Sequence, residues 1–344
     1  MNIIELHGET WRRLNARREQ MPHALLMEGM RGIGKSEFAR AFAESLLCEH
    51  PTDGHEACHS CIACGWLAQG NHPDFRLIQP EALAGDEIEG TSDAGSKKKP
   101  SQQITIDQIR ALDDFLHVGT HRHGLRVILI NPAEAMNRAT ANALLKSLEE
   151  PISSTLFILV TSDQNKLLPT IRSRCQSVPF PLPRREACTS WLADAGIDEP
   201  DQWLALAGGS PIAAAELASS DERGLLEALV VALSQGKNCD PLAAAATLDR
   251  IVKADKRPAP LRRTVDWTQK WLFDLTQASA ALPPRYFVVQ QPTLLLLAKA
   301  TDILRLLAFA RKAIQYKLEC EQPLNSRLFL EGFFMSYAAL FQNR

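Results

Sequence analysis

The sequence predicts an α/β domain built on a parallel sheet, then a small helical domain, then an all-helical C-terminal domain. Three observations carry that reading. From residue 22 to about 180, short apolar runs alternate with helical patterns, the rhythm of strands joined by crossover helices. A glycine-rich segment ending in Gly-Lys-Ser follows the first apolar run and opens a helical pattern, the place where such a sheet carries a phosphate-binding turn. Past Pro179, Pro181 and Pro183 the strand signal fades and only helical spacing remains. The 344 residues, 45% hydrophobic and 23% charged, suffice for two or three packed cores and exclude a disordered or fibrous chain.

Within residues 1–180, the segments 23–28, 75–79, 126–130 and 156–161 read as buried strands, because each is a nearly continuous apolar run. Residues 81–102 are rich in Gly, Ser, Asp, Glu and Lys and nearly free of large apolar side chains. They read as a disordered surface insertion, unable to bury enough surface to offset the entropy of ordering. Residues 181–219 read as short helices, with Gly208 and Gly209 marking a turn. In the all-helical region 220–344, Leu296, Ala300, Ile303 and Leu307 recur at spacings that line one helix face. There is no internal repeat of fixed period.

The segment HALLMEGMRGIGKSEF completes the pattern G-x-x-x-x-G-K-S/T with Gly29, Gly34, Lys35 and Ser36, and Gly32 lies between. Glycines let backbone N–H groups wrap a β-phosphate at a helix N-terminus. Lys35 would neutralise the β and γ oxygens, and Ser36 would ligate Mg²⁺. Hydrolysis needs more: one carboxylate at a strand end for the metal and a second to polarise water. The strand 127–130 ends instead in Asn131-Pro132-Ala133-Glu134. Asparagine has no charge to hold a metal, proline can neither accept a proton nor orient water, and Glu134 falls two to three residues late, on the following turn. ATP with Mg²⁺ can be accommodated on this reading, but no intrinsic catalysis is expected.

Four of the eight cysteines, Cys48, Cys58, Cys61 and Cys64, fall within 17 residues as C-x9-C-x2-C-x2-C. Such spacing can close a tetrahedral Zn²⁺ shell with no open position, which makes the metal structural, a staple for a small loop. His50, His55 and His59 lie nearby and could replace one thiol, although four suffice. Cys175, Cys188, Cys239 and Cys320 are scattered and need no special role. His117, His121 and His123 read as a polar turn, since no Cys or carboxylate stands at ligand spacing. Arg12, Arg13, Arg17 and Arg18 read as a solvated helix face, with a DNA-backbone contact as the weaker alternative. A formal charge of −2, from 38 basic and 40 acidic residues, gives no net positive field to hold nucleic acid alone. The N-terminus lacks a secretory pattern and the densest apolar run, residues 294–298, is too short for a bilayer, so a cytoplasmic protein without membrane contact is expected.

Together these residues resemble one family, the δ′ subunits of the bacterial DNA polymerase III clamp loader, of the AAA+ clamp-loader class. The resemblance rests on HALLMEGMRGIGKS, the four-Cys module, HPDF at 72–75, NALLKSLEEP at 142–151 and IRSRC at 171–175; the C-terminal region matches only in length and class. It implies an AAA+ P-loop domain (1–180) with an inserted zinc module (48–64), a helical lid domain (181–219) and a helical collar domain (220–344). The implied role is a stator that joins δ and γ/τ subunits in an arc loading the sliding clamp onto primer–template DNA, within a complex whose activity is DNA-directed DNA polymerisation, a nucleotidyl transfer. Arg174, in the Ser173-Arg174-Cys175 motif, is implied to enter the ATP site of the adjacent γ/τ subunit. Thr161 and Ser162 fall at the sensor position, and either could face a nucleotide. The alternative is an ATP-hydrolysing γ/τ-like motor, which would carry Asp-Glu at 131–132 and an Arg where GGSPIA places Ile212.

Overall fold

The computed structural model describes residues 3–83, 100–117, 124–219, 222–254, 260–320, 322 and 324–342. Most of the expected insertion (84–99), together with His121 and His123, lies outside the described residues. The chain divides into two compact units, Met1–Ala187 and Cys188–Arg344. Both regions expected as separate helical domains therefore fall, apart from residues 181–187, in one unit.

The first unit is a five-stranded, wholly parallel sheet in the order β2-β3-β4-β1-β5. Its strands are β1 (Ala24–Glu28), β2 (Phe75–Ile78), β3 (Arg126–Ile130), β4 (Thr155–Thr161) and β5 (Gln176–Pro179). The apolar strands alternate their side chains between two covered faces. Leu25, Met27, Val127, Leu129, Leu156, Ile158 and Val160 point to one face, against α1 (Ile3–Leu6), α2 (Gly8–Asn15), α3 (Lys35–Leu47) and α4 (Ile62–Ala68). Leu26, Ile128, Ile130, Phe157 and Leu159 point to the other, against α5 (Ile106–His117), α6 (Arg138–Glu149) and α7 (Pro169–Arg172). Burial on both faces is why these strands read as unbroken apolar runs.

The fifth strand has no counterpart among the four expected. Gln176, Ser177 and Pro179 are exposed and only Val178 is buried, so β5 is an edge strand without the apolar signature of the others. Residues expected to belong to the insertion are ordered at both ends. Glu81–Leu83 form a 3₁₀ turn closed by Ala82 N–H donating to Ser101 O (3.0 Å) and Ser101 N–H donating to Glu81 Oε2 (3.0 Å).

The second unit takes up the chain within α8 (Arg185–Asp194), whose first three residues belong to the first unit, and continues through α9 (Pro200–Leu206), α10 (Pro211–Ser219), α11 (Glu222–Ser234), α12 (Pro241–Ala254), α13 (Pro260–Ser279), α14 (Gln291–Lys299), α15 (Ile303–Glu319) and α16 (Ser326–Ala338). In its core the buried Trp271 indole donates to Tyr337 Oη (3.2 Å), which donates to Leu233 O (2.7 Å). The fully buried Asp274 carboxylate accepts from the backbone N–H groups of Arg285, Tyr286 and Phe287, so its charge is satisfied without a cation in that set. The expected single stripe of Leu296, Ala300, Ile303 and Leu307 is corrected here. Asp302 caps the N–H groups of Leu304 and Arg305, which starts a new helix, and Leu296, Ile303 and Leu307 are all exposed. No helix among the described residues is long and apolar enough to cross a membrane.

What fixes the glycine-rich turn in the first unit is the packing beneath it. Phe38, on the first turns of α3, is fully buried, with ring centroids 4.9 Å from Phe180, 5.5 Å from Trp11 and 6.0 Å from His7. Truncating such a side chain leaves a cavity that neighbouring helices only partly fill. Phe38→Ala is expected to lower the unfolding free energy by about 3–5 kcal/mol, read from the urea-denaturation midpoint.

Candidate functional site

The strand order puts β1 between β4 and β5, with β3 beyond β4, so the carboxyl ends of four strands open toward one place. Gly29 follows β1, Asn131 follows β3, Ser162 follows β4 and Phe180 follows β5. The approach is close enough that a Cβ on Gly29 would stand 2.5 Å from the Phe180 carbonyl oxygen. Gly34 has φ of +93°, and a Cβ there would meet the Ile3 side chain at 2.1 Å. Gly32 also has positive φ, at +78°. The turn then opens α3, whose first residue is Lys35.

Lys35 is only 4% exposed and its ammonium is folded back into the turn. It donates to Gly29 O (2.8 Å), Met30 O (2.5 Å) and Ser162 Oγ (3.2 Å). Burial lowers its pKa from 10.5 to about 8, with the carboxylates of Glu134 and Glu37 opposing the fall. Of the two sensor candidates, Ser162 reaches Lys35, whereas Thr161 is buried and its hydroxyl accepts from Asp163 N–H.

Opposite the turn, Ser36 Oγ donates to Asn131 Oδ1 at 3.2 Å. A carboxylate at Asn131 would share a metal with Ser36; the neutral amide binds the hydroxyl directly. Glu134 sits on the 3₁₀ turn Ala133–Ala135, after the strand end as expected, yet its side chain returns to the site. Its Oε1 accepts from Ser162 N–H (3.0 Å), and Oε2 is buried without a hydrogen-bond partner in the described structure.

No motif or periodicity announces the other wall. A cavity of about 980 Å³ adjoins the turn, lined by Arg12, Arg13, Gly29, Ser162, Phe180 and Arg184 among others. His7, beside it, donates from Nε2 to Ile33 O at 2.6 Å and is 5% exposed. Burial lowers its pKa, the Ile33 carbonyl opposes this and Lys35 adds to it. Arg12, Arg13 and Arg17 are exposed, as expected of a solvated face, and Arg18 departs from it by being half-buried. Arg18 donates to Ser45 O at 2.6 Å near the end of α3, and Arg12 donates to Gly8 O at 3.3 Å. His72 and Asp74 of HPDF are buried, with Asp74 N–H donating to His72 Nδ1 (3.1 Å) at the entry to β2.

Arg174 lies away from the turn, two residues past α7. Its Nη2 stands 2.6 Å from Glu149 Oε1 and its Nη1 donates to Thr170 O at 2.9 Å. Ile212, on α10, is in the other unit.

The four thiols predicted to act together do converge. The sulfurs of Cys48, Cys58, Cys61 and Cys64 lie within 4.8 Å of one another, and Cys48 and Cys61 are 3.9 Å apart. Tetrahedral Zn²⁺ at about 2.3 Å from each sulfur separates them by about 3.8 Å, so this cluster needs little contraction to close. Backbone N–H groups already point at sulfur: Cys58 N–H to Cys48 Sγ (3.2 Å), Cys61 N–H to Cys58 Sγ (3.4 Å) and Cys64 N–H to Cys61 Sγ (3.4 Å). Hydrogen bonds from Ser60 and Cys61 hold the Cys58 thiol well below its usual pKa, whereas burial pushes the Cys48 and Cys64 thiols up, so the fit to a metal rests on the sulfur geometry. The donor set fits Zn²⁺, and His50, His55 and His59 are not part of it. Trp11 fastens the module to α2 by donating to Gly54 O at 2.9 Å.

Residues 8–183 match the protein family described as "DNA polymerase III, delta subunit". The chain is 42% identical over 211 residues to DNA polymerase III subunit delta' of Pseudomonas aeruginosa, covering 60% of this chain and 58% of that one. It is 32% identical over 215 residues to the Escherichia coli subunit delta', covering 62% and 59%. The match thus spans a little under three fifths of the length of each of these relatives. DNA polymerase III subunit tau of Bacillus subtilis is 33% identical over 163 residues, which are 47% of this chain and 25% of that one.

Protein isolated without chelator is expected to hold one equivalent of zinc by elemental analysis. Cys61→Ser should lower that content and loosen the region of residues 48–64 to protease while leaving the sheet intact, because the strand residues lie outside the cluster.

Proposed function

The chain belongs to the DNA polymerase III delta-subunit family, and from that premise we propose that it acts as a δ′-type stator of the replicative clamp loader. In this reading it assembles in the cytoplasm with δ and γ/τ subunits and contributes to loading the sliding clamp onto primer–template DNA. Residues 1–180 serve as an AAA+ P-loop domain with a structural Zn²⁺ held by Cys48, Cys58, Cys61 and Cys64. Residues 181–219 serve as the lid and 220–344 as the collar that joins the subunits.

The observation that carries the non-hydrolysing role is the pairing of Ser36 with Asn131. Where a motor places a metal-binding carboxylate, this chain has a neutral amide, followed by Pro132. Gly29, Gly32, Gly34, Lys35 and Ser36 would still cradle a nucleotide, with Lys35 exchanging its carbonyl acceptors for phosphate oxygens. Bound Mg²⁺ would add charge neutralisation at Ser36. One observation favours the second reading, a γ/τ-like motor: Glu134 brings a carboxylate back to the turn and leaves one oxygen unpartnered. The tie of that carboxylate to Ser162 N–H and its proximity to Lys35 fit a positioning role better than that of a base for water.

The catalytic contribution is made in trans. Arg174 would enter the ATP site of an adjacent γ/τ subunit and stabilise charge on the γ-phosphoryl only when that interface is closed, coupling assembly to hydrolysis.

Two measurements test this. In the reconstituted complex, Lys35→Ala should leave the clamp- and DNA-stimulated ATPase nearly unchanged, while Arg174→Ala depresses it. Loss of a trans arginine costs on the order of 10³-fold at the site it serves, with the other sites buffering the total. The reverse pattern would identify the chain as a motor. In the isolated chain, ADP affinity should fall as pH rises through about 8, because the free Lys35 ammonium loses its proton there; titration calorimetry between pH 7 and 9 reads this, and Lys35→Ala should flatten the profile.

A further inference from the structure

Arg174 does not project freely into solvent. Its Nη2 meets Glu149 Oε1 at 2.6 Å, and its Nη1 donates to Thr170 O at 2.9 Å and to Ser173 Oγ at 3.4 Å. The two charged side chains are 34% and 48% exposed. A surface pair of that exposure adds little to stability, so stability alone does not account for it.

Glu149 is also in an unfavourable place for an acid. It is the last residue of α6, at the negative end of the helix dipole, and Glu150 follows it as the C-cap. A carboxylate there is disfavoured unless a cation meets it, and Arg174 is the cation that does. The arrangement breaks a local rule at the position that faces the one arginine with an expected role outside its own chain.

The physical gain is orientation. An arginine side chain has several free torsions, and a finger that must meet a phosphoryl group in another subunit loses that freedom on docking. A carboxylate on one terminal nitrogen and a carbonyl on the other fix the plane of the guanidinium beforehand. Among the described residues no acceptor meets the Nε–H or the second Nη2–H.

We propose that Glu149 is a positioning residue for Arg174, holding its guanidinium in the orientation in which it meets the nucleotide of a neighbouring subunit. This rests on the reading of Arg174 as a finger acting in trans. Because the finger acts on charge that develops in the transition state, its misorientation lowers kcat and leaves KM unchanged.

The test uses the complex reconstituted from the full chain and its cognate subunits, with kcat and KM for ATP measured in the presence of clamp and primed DNA. The variants are Glu149→Gln, Arg174→Ala and the double substitution. Glu149→Gln keeps the side-chain volume and should leave assembly and melting temperature unchanged. It is expected to produce at least half of the fall in kcat seen with Arg174→Ala, with KM unaltered, and no further fall in the Arg174→Ala background. A Glu149→Gln complex with wild-type or raised kcat, beside a depressed Arg174→Ala complex, overturns the positioning role; a raised kcat would make the pair a brake. An additional fall in the double variant also overturns it, since the carboxylate would then act through something other than Arg174. An Arg174→Ala complex with wild-type kcat removes the finger itself, and with it both the trans reading and any role for Glu149 in orienting it.

Discussion

The ammonium of Lys35 folds back into its own turn, and the rest of the site is arranged around that contact. Four strand ends converge on the segment after β1, Phe180 closes one side, and α1 lies over Gly34. In that space the lysine takes two turn carbonyls and Ser162 Oγ as acceptors. A buried cation is tolerable only when its protons are placed, and here three acceptors place them. The turn is consequently a cation site as it stands and becomes an anion site only if the ammonium rotates onto a ligand.

This exchange has a thermodynamic signature. The folded-state pKa of Lys35, about 8, lies below its ordinary 10.5, so between those values the unfolded chain binds more protons than the folded one. Stability contributed by this group therefore rises as pH climbs through that window, while affinity for an anion falls. A lowered lysine pKa of this kind is a cost that burial imposes on the fold. Glu134 moderates the cost: its carboxylate raises the Lys35 pKa and, through Ser162 N–H, anchors the segment that supplies the third acceptor.

Much of the first unit was legible in the sequence because its strands are buried on both faces, and such strands are written as uninterrupted apolar runs. β5 was not, since an edge strand with one buried residue carries no such run. The four thiols were legible through spacing, because a C-x2-C-x2-C segment can bring its sulfurs together only locally. The destination of Glu134 was not: its place on the turn after β3 is a matter of sequence, but the return of its side chain to Ser162 depends on β4 being the neighbouring strand. Likewise the Glu149–Arg174 pair joins the ends of two separate helices, α6 and α7, and no periodicity within either element announces it. In the second unit the apolar spacing across Leu296–Leu307 is misleading because Asp302 interrupts the helix, and a cap of one residue outweighs a four-residue pattern.

The same geometry bears on what an intact phosphate-binding motif means. Gly29, Gly34, Lys35 and Ser36 each make close contacts within the chain. Gly29 is required by the Phe180 carbonyl and Gly34 by its positive φ and by Ile3; Lys35 is held by carbonyls and Ser36 by Asn131. An alanine at either glycine would disrupt the packing of β5 or α1 whether or not ATP ever enters. The two glycines are therefore required by the packing of this sheet, and their presence says nothing about hydrolysis. The groups that bear on hydrolysis are those with no packing reason to be one residue rather than another. Asn131 is chief among them: its side chain meets the Ser36 hydroxyl, and an aspartate would fit the same space. On the proposed reading, the neutral amide at Asn131, with Pro132 beside it, is what would separate a turn that holds phosphate from a site equipped to cleave it.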